Sequence, residues 1–181
     1  MTQTGKVSSR RVYTGRVVSL DVDTVRFPNG TTGELEMIRH PGASAVVPFL
    51  TEPGVKDPVI LLIKQYRYAA DQYLYEVPAG RLEVGEPPER CARRELREET
   101  GYDAERFQHV FSMFTTPGFT DERIHVFQAH GLTFVGTAHE PDEFMSTEEI
   151  PLRRAVQMVQ KGEIIDAKTA IAILLSAREM S

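Results

Sequence analysis

Residues 80–102 read GRLEVGEPPERCARRELREETGY and form the most distinctive stretch of this 181-residue chain. The first part is rich in glycine and proline, which favours a loop. From Pro88 to Thr100 the residues are good helix formers, the proline is tolerated in the first turn, and Gly101 is the stop. The stretch therefore predicts a loop that leads directly into a helix.

The predicted helix carries acidic residues on one face. Because each helical residue advances by roughly 100°, Glu95, Glu98 and Glu99 fall on one side and arginines occupy the other. Like charges at these spacings destabilise an isolated helix by about 0.2–0.5 kcal/mol per pair. Carboxylate clusters suit hard cations such as Mg²⁺ or Mn²⁺, which bridge carboxylates to substrate phosphates. On the helix alone, a solvated charged face paired with its own arginines is the commoner explanation.

Strand-forming segments precede this loop and helix. Val17 to Val25 and Leu35 to Ile38 flank the turn Pro28-Asn29-Gly30, so they predict an antiparallel hairpin. Before this hairpin, the leader Met1 to Arg11 is polar and lacks the apolar core of a signal peptide.

Two more strands are predicted between the hairpin and the helix, at Ala45 to Leu50 and Val59 to Gln65. Pro48 suggests that the first of them is an edge or bulged strand. The short apolar segment Leu74 to Val77 is then broken by Pro78-Ala79-Gly80.

The pattern after the helix predicts two strands followed by two helices. The strands are Val110 to Phe114 and Ile124 to Ala129, and the acidic loop Pro141 to Ser146 comes after them. The helices begin after Pro151 and at Thr169.

Composition narrows the class of protein. The chain is 41% hydrophobic and 26% charged, which is sufficient for one sizeable core. The net charge of −5 disfavours nucleic acid or an acidic membrane leaflet as a partner. The single cysteine, Cys91, and the absence of a signal peptide or an apolar span predict a cytoplasmic protein outside the membrane.

A set of positions in residues 80–102 matches the signature motif of the Nudix hydrolase family in residue type and spacing. These positions are Gly80, Glu86, Arg94, Glu95, Leu96, Glu98, Glu99 and Gly101. The final position is Tyr102, where the pattern asks for a large aliphatic residue that serves packing. The chain thus resembles the Nudix hydrolases.

The resemblance implies a metal site on the helix. In proteins similar to this one, the counterparts of Glu95, Glu98 and Glu99 carry the divalent ions, Mg²⁺ or Mn²⁺, and we also count Glu98 as catalytic. The position of Ala79 resembles one whose backbone carbonyl completes a metal shell, which a carbonyl can do whatever the side chain.

Two further residues of the motif have supporting roles in the resemblance. The counterpart of Glu86 supports the loop, and the counterpart of Arg94 orients a metal-binding glutamate through an ion pair; the alternative for Arg94 is a surface arginine. Cys91 lies on the same helix without a positioned base, so we interpret it as a small packing residue.

Residues outside the motif resemble the ADP-ribose pyrophosphatase subgroup. Pro117 lies 117 − 101 = 16 residues beyond Gly101, which is the position of the proline that marks this subgroup, although a turn alone explains a proline. Arg39 and Arg67 resemble arginines that bind the diphosphate, and the planar donor fork of arginine suits that task. Either arginine could instead be an exposed rim residue.

A second acidic group, Glu140 to Phe144, resembles the loop that supplies a catalytic glutamate in ADP-ribose hydrolases. Glu143 is the best match by position, and Glu140 and Asp142 are its rivals. A solvent-exposed acidic loop is the alternative.

Taken together, the resemblance implies an α/β fold: a Nudix α/β/α sandwich with a mixed sheet, preceded by a small N-terminal antiparallel sheet. We expect residues 1–42 to hold the leader and hairpin sheet, as a contact in a homodimer, and residues 43–181 to form the hydrolase domain. The expected activity is metal-dependent hydrolysis of ADP-ribose to AMP and ribose 5-phosphate. The alternatives are a nucleotide-sugar hydrolase of the GDP-mannose type and an ADP-ribose sensor that does not cleave its ligand.

Overall fold

The computed structural model describes residues 4–51, 54–136 and 145–178. The chain forms two compact units. The first consists of the described residues of Met1–Gly42 together with Met113–Ile124. The second consists of the described residues of Ala43–Ser112 and His125–Ser181.

The first unit contains a sheet of three antiparallel strands in the order β1-β2-β3. These strands are β1 (Gly5–Thr14), β2 (Ser19–Arg26) and β3 (Thr32–Arg39). The hairpin predicted around Pro28-Asn29-Gly30 is confirmed as the β2–β3 pair. Strand β1 was not predicted, because every one of its residues is exposed and it lacks the apolar alternation that sequence patterns detect.

The described part of the second unit contains two sheets and three α-helices. The strands are β4 (Ala43–Pro48), β5 (Val59–Arg67), β6 (Gln72–Glu76), β7 (Ala79–Arg81), β8 (Tyr102–Phe114), β9 (Arg123–Phe134) and β10 (Met145–Pro151). The last two residues of β8 and the first two of β9 extend into the first unit. The helices are α1 (Pro88–Thr100), α2 (Leu152–Gln160) and α3 (Ala167–Arg178). One sheet has the order β7-β4-β9-β8, and the other has the order β10-β5-β6.

Strand β4 is covered by helices. It contacts both α1 and α3, and all of its residues are buried, as in a strand with helices on both faces. The α1 side of this core consists of Val46, Ala92, Leu96, Ala104, Phe127 and Ala129. The edge position suggested by Pro48 is wrong, because β4 lies between β7 and β9. Pro48 is the last residue of the strand.

Helix α1 has the predicted bounds. Its proline at the first turn needs no amide partner, and the hydroxyl of the buried Ser44 donates to the carbonyl of Pro88 at 2.7 Å. Gly101 ends the helix in the left-handed region, with φ of 76°, and its N–H donates to the carbonyl of Arg97 at 2.9 Å. The helix that presents the acidic residues is therefore anchored at both ends.

Two segments predicted as loops are strands. Ala79 and Gly80 lie in β7, which pairs with β4, and Met145 and Ser146 begin β10, which pairs with β5. Neither has an apolar run of its own, so their strand structure comes from the neighbouring strands. In the described part of the chain, no helix is long and apolar enough to cross a bilayer.

Candidate active site

Gly80 allows the helix and the preceding strand to approach closely. A Cβ atom placed on Gly80 would lie 1.9 Å from Oε1 and 2.1 Å from Cδ of Glu95. Both distances are far shorter than a van der Waals contact, so the carboxylate occupies space that only glycine leaves open. Gly80 thus admits the Glu95 side chain, which is only partly accessible to solvent.

Arg94 lies at the centre of three carboxylates. Its guanidinium nitrogens contact Oε1 of Glu86 at 3.1 Å, Oε1 of Glu95 at 2.6 Å and Oε2 of Glu98 at 3.0 Å. It also donates to the carbonyl of Arg81 at 3.0 Å. The hydrogen bond from Arg94 holds the pKa of Glu86 below its ordinary value of 4.5, and the same acids raise the pKa of Arg94. The ion pair that the resemblance implied for Arg94 is present, with three acids instead of one.

Glu99 is attached to the strand beside the helix. Its side chain is buried, and its Oε2 accepts a hydrogen bond from the backbone N–H of Ala79 at 2.9 Å. This bond places Ala79 next to an acid of the helix, as the prediction of a shared metal site requires. Whether Ala79 binds metal through its carbonyl stays a prediction.

The donor set fits a hard divalent cation in its chemistry. Glu95, Glu98 and Glu99 are carboxylates on one helix, and oxygen ligands of this kind are what Mg²⁺ and Mn²⁺ prefer. Within the described residues, no three His, Cys, Asp or Glu side chains form a ready-made cation cage. In this arrangement Arg94 supplies the positive charge that Glu95 and Glu98 need.

Arg67 stands at the end of β5 and is held by a buried acid. Its Nε and Nη2 donate to the two carboxylate oxygens of Glu76 at 2.6 and 2.8 Å. The side chain of Arg67 is 41% exposed, whereas that of Glu76 is 2% exposed. Burial alone would raise the pKa of Glu76, but the hydrogen bonds and charges of Arg67 and Lys168 outweigh it and lower that pKa. Arg67 is therefore fixed in orientation and still accessible.

Arg67 and Glu76 belong to a larger polar network. Its other members are Asp166, just before α3, and Lys168 and Thr169 in the first turn of α3. Nζ of Lys168 contacts Oε2 of Glu76 and lies 3.0 Å from Oδ2 of Asp166. Oγ1 of Thr169 donates to Oδ2 of Asp166 at 2.6 Å and accepts from the backbone N–H of Val77 at 2.9 Å. The network thus connects α3 to the segment that leads into β7.

Sequence reasoning missed this network. A signal for Glu76 existed, since it is the one charged residue in the short apolar segment Leu74 to Val77. No local signal could have identified Lys168, because 92 positions separate it from its partner Glu76.

Arg39 lies in the first unit and has three acidic partners. Its nitrogens are 3.1 Å from Oδ2 of Asp21 and 3.2 Å from Oδ2 of Asp121, and Nη2 also pairs with Asp23. The hydrogen bond to Asp23 is the largest of the contributions that raise the pKa of Arg39. Its role at the diphosphate stays a prediction. Three carboxylates surround the Arg39 side chain in the structure.

The remaining predicted residues lie elsewhere. Pro117 is exposed in a turn of the first unit, where the N–H groups of Phe119 and Thr120 both donate to the carbonyl of Thr116. The predicted catalytic acid Glu143 and its rivals Glu140 and Asp142 lie outside the described residues. Their roles remain predictions.

Cys91 is buried beneath the site. Its Sγ lies 3.3 Å from the carbonyl oxygen of Arg81 and 3.5 Å from that of Gly80. Burial is the main cause that raises the pKa of its thiol to about 12. A protonated, enclosed thiol is a packing residue rather than a nucleophile, which agrees with its interpretation from the sequence.

Comparison with known proteins identifies what this arrangement is similar to. The NUDIX domain family, described as "NUDIX domain", matches residues 39–170. A relative named "ADP-ribose pyrophosphatase" from Bacillus subtilis (strain 168) is 40% identical over 169 residues, covering 92% of this chain and 89% of that protein. A relative named "Methanol dehydrogenase activator" from Bacillus methanolicus is 41% identical over 169 residues, with the same coverage of 92% and 89%.

A solved structure has the same architecture. The structure described as "Crystal structure of ADP compounds hydrolase" aligns with a TM-score of 0.82 at 18% identity, covering 99% of this chain and 95% of that one. At this identity the likeness shows the fold. It confirms the predicted α/β class with a mixed sheet and an additional antiparallel sheet.

Proposed function

Because this chain belongs to the NUDIX domain family, we propose that it is a metal-dependent hydrolase of nucleoside diphosphate compounds, with ADP-ribose as the favoured substrate. The observation that carries the chemistry is the cluster of Glu95, Glu98 and Glu99 on α1, held against β7 by Gly80 and Ala79. The substrate is supported by the 40% identity to the protein named ADP-ribose pyrophosphatase.

In the proposed reaction, the oxygen of a water molecule attacks one phosphorus of ADP-ribose. The bond from that phosphorus to the bridging oxygen breaks, and AMP and ribose 5-phosphate leave. The proton lost by the water passes to a carboxylate base, for which Glu143 is the proposed residue. Glu98, whose side chain is 43% exposed, is a second catalytic acid within reach of solvent.

Glu95, Glu98 and Glu99, with the carbonyl of Ala79, are the groups that would hold Mg²⁺ or Mn²⁺. When bound, such ions offset the charge of the diphosphate and make a bound water more acidic. Arg94 keeps two of these carboxylates oriented on the helix, and the N–H of Ala79 does the same for Glu99. A site that is oriented in advance spends less binding energy on ordering.

The arginines and Pro117 are proposed to bind the substrate. Arg67 is the strongest candidate for the diphosphate, since Glu76 fixes its guanidinium plane while 41% of its side chain stays exposed. Arg39 is proposed as a second diphosphate contact, which requires a phosphate to compete with its aspartates. Pro117 is proposed to shape the wall of the substrate site.

The organisation of the chain is also part of the proposal. We propose that residues 43–181 form the hydrolase domain and that the sheet within residues 1–42 contributes a contact to a homodimer. A cytoplasmic location is proposed because the only cysteine is a buried, unpaired thiol, as expected in a reducing compartment.

Hydrolysis assays test the proposal. We would incubate the protein with ADP-ribose, GDP-mannose and ADP-glucose in Mg²⁺ and in Mn²⁺ and measure the products by chromatography. The expected result is preferential release of AMP from ADP-ribose, with turnover reduced by about 10²–10³-fold or more in Glu99→Gln. The thermal midpoint of this variant should stay close to the wild-type value, since the amide keeps the shape of the carboxylate.

Other outcomes would change the assignment. Cleavage of GDP-mannose in preference to ADP-ribose would keep the chemistry and replace the substrate. Tight binding of ADP-ribose without cleavage would favour the sensor. Full activity of Glu99→Gln would remove the carboxylate helix from the mechanism.

A further inference from the structure

The orientation of the Arg67 side chain is fixed by its contacts with Glu76. Both oxygens of Glu76 accept hydrogen bonds from this guanidinium, which fixes its plane as well as its position. Glu76 is buried, and its strand β6 is paired with β5, the strand of Arg67. Glu76 therefore has little freedom to follow a movement of Arg67. The direction in which Arg67 presents its remaining donors is therefore set by Glu76.

Lys168 is a second cation beside Glu76. Its side chain is 13% exposed, and its Nζ contacts Oε2 of Glu76, the same oxygen that accepts from Nη2 of Arg67. Two cations thus share one oxygen of a buried carboxylate, and Lys168 also pairs with Asp166.

The position of Lys168 is itself constrained. Asp166 accepts from Lys168 at 3.0 Å and from Oγ1 of Thr169 at 2.6 Å, and Thr169 accepts from the N–H of Val77. Val77 precedes Ala79 by two residues, and Ala79 donates to Glu99. The first turn of α3 therefore reaches both the arginine and the backbone beside the acidic helix.

We propose that Lys168 is a positioning residue for diphosphate binding, acting through Glu76 on Arg67. The inference rests on the proposed function, in which Arg67 contacts the diphosphate. A Lys placed here only for stability would be a poor choice, because well-packed apolar residues in place of buried ion pairs are often neutral or stabilising. Lys168 forms ion pairs with Glu76 and Asp166, which lie outside the catalytic helix, so its effect is expected on substrate binding.

Kinetics of Lys168→Met and Lys168→Arg test this role. Lys168→Met should raise the KM for ADP-ribose by about tenfold and change kcat by less than about threefold. Lys168→Arg should recover most of the lost affinity, since it keeps a cation beside Glu76. Lys161→Met is the matched control, because Lys161 is an exposed residue just after α2 and the variant loses the same charge.

A double-mutant cycle separates positioning from stability. Arg67→Lys removes the planar donor fork, so adding Lys168→Met to it should raise KM by no more than about threefold. Full, independent multiplication of the two effects would overturn the proposal. So would a Lys168→Met protein whose KM equals that of Lys161→Met. Thermal midpoints of all variants identify any protein that has failed to fold, and Lys168→Arg then decides the question.

Calorimetric titration with ADP distinguishes this proposal from the proposed function. If the wild type does not hydrolyse ADP-ribose, the substrate assignment fails, and the role of Lys168 is decided by ADP affinity. A Kd about tenfold weaker in Lys168→Met, with Lys161→Met unchanged, supports positioning. Equal affinities, or a wild type that binds no ADP, overturn it.

Discussion

Arg39 and Arg94 have the same chemical surroundings in two different compact units. The partners of Arg39 are Asp21, Asp23 and Asp121, and those of Arg94 are Glu86, Glu95 and Glu98. The two arginine side chains are 27% and 26% exposed, so burial does not distinguish them. What differs is the structure that supplies the acids.

Two of the three aspartates that pair with Arg39 belong to a strand. Asp21 and Asp23 are two residues apart on β2, so both point to the same face of the sheet. Their side chains are 9% and 6% exposed, which leaves Arg39 enclosed by acids that the strand register fixes. In the helical cluster, Glu98 stays 43% exposed beside Arg94. Asp121 beside Arg39 is 41% exposed, so each cluster keeps one acid within reach of a ligand. The difference is that Glu98 and Arg94 share one helix, whereas Asp121 lies 82 positions from Arg39.

Among the changes that separate the two clusters, Gly80→Ala is expected to have the largest effect, because it would break the helical cluster alone. The new Cβ would overlap the carboxylate of Glu95 and force it away from its place beside Arg94. We expect kcat/KM for ADP-ribose to fall by about 10²-fold, as for other displacements of a catalytic group. Steady-state kinetics measure this.

Gly118→Ala is the matched control, because its thermal midpoint shows how much the added methyl group changes stability where it meets no neighbour. A Cβ on Gly118 meets no atom within 4 Å, so this variant makes the same chemical change in open space. An active Gly80→Ala protein would show that Glu95 can move without loss of function.

Exchange of each arginine for glutamine sharpens the comparison. Arg94→Gln leaves three clustered acids without their cation, and we expect the free energy of unfolding to fall by about 1–3 kcal/mol. Its kcat should also fall, because Glu95 and Glu98 lose their orientation. Arg39→Gln should raise KM by several-fold and leave kcat near the wild-type value, as expected of a binding residue.

Denaturant titration and steady-state kinetics of both variants measure these effects. An Arg39→Gln protein with lowered stability and unchanged KM would assign Arg39 to the structure of the first unit only. Unchanged kcat in Arg94→Gln would contradict the orienting role of Arg94.

A smaller loss of stability is expected when the pH is lowered. The hydrogen bond from Arg11 lowers the pKa of Asp21, and that from Arg94 lowers the pKa of Glu86. Because both are lower than in the unfolded chain, their stabilisation is complete above the ordinary values of 3.8 and 4.5 and is lost as pH falls through the lowered values.

Thermal midpoints measured from pH 7 to about pH 3 should therefore decline most steeply at the acid end. Asp21→Asn and Glu86→Gln should each flatten that decline, since each removes one of the linked protonations. An acid decline of unchanged slope in both variants would show that other groups cause it.

The smallest effect is expected at Cys91. Burial and a pKa near 12 keep its thiol protonated and enclosed. We expect no modification by iodoacetamide at neutral pH within hours, and rapid modification after unfolding in guanidinium. Mass spectrometry measures both. Fast labelling of the native protein would show that α1 opens locally from the core beneath Arg94.

The parts of the molecule that local sequence predicts well are those with local causes. The bounds of α1 follow from Pro88 in its first turn and from Gly101 at its end, and both residues act within a few positions of themselves. The hairpin of β2 and β3 has the same kind of cause in its turn. The acidic face of α1 follows from helical spacing alone.

The parts that could not be predicted depend on distant partners. Strand β1 is recognisable only through its pairing with β2, because none of its side chains is buried. The partners of Arg39 could not be inferred either, since Asp121 is 82 positions away. Glu76 was recognisable as a charged residue in an apolar segment. Its pairing with Lys168 was not predictable, because that residue is distant in the sequence.

The bond between Thr169 and Val77 joins positions 92 residues apart. During synthesis the glutamate-rich helix can form soon after its own residues emerge, because helical contacts are local. The segment around Val77 can form its hydrogen bond with Thr169 only when the start of α3 has left the ribosome. A nascent chain halted before that point would carry the whole signature motif and still lack the contacts of Lys168 and Thr169 with the segment before β7.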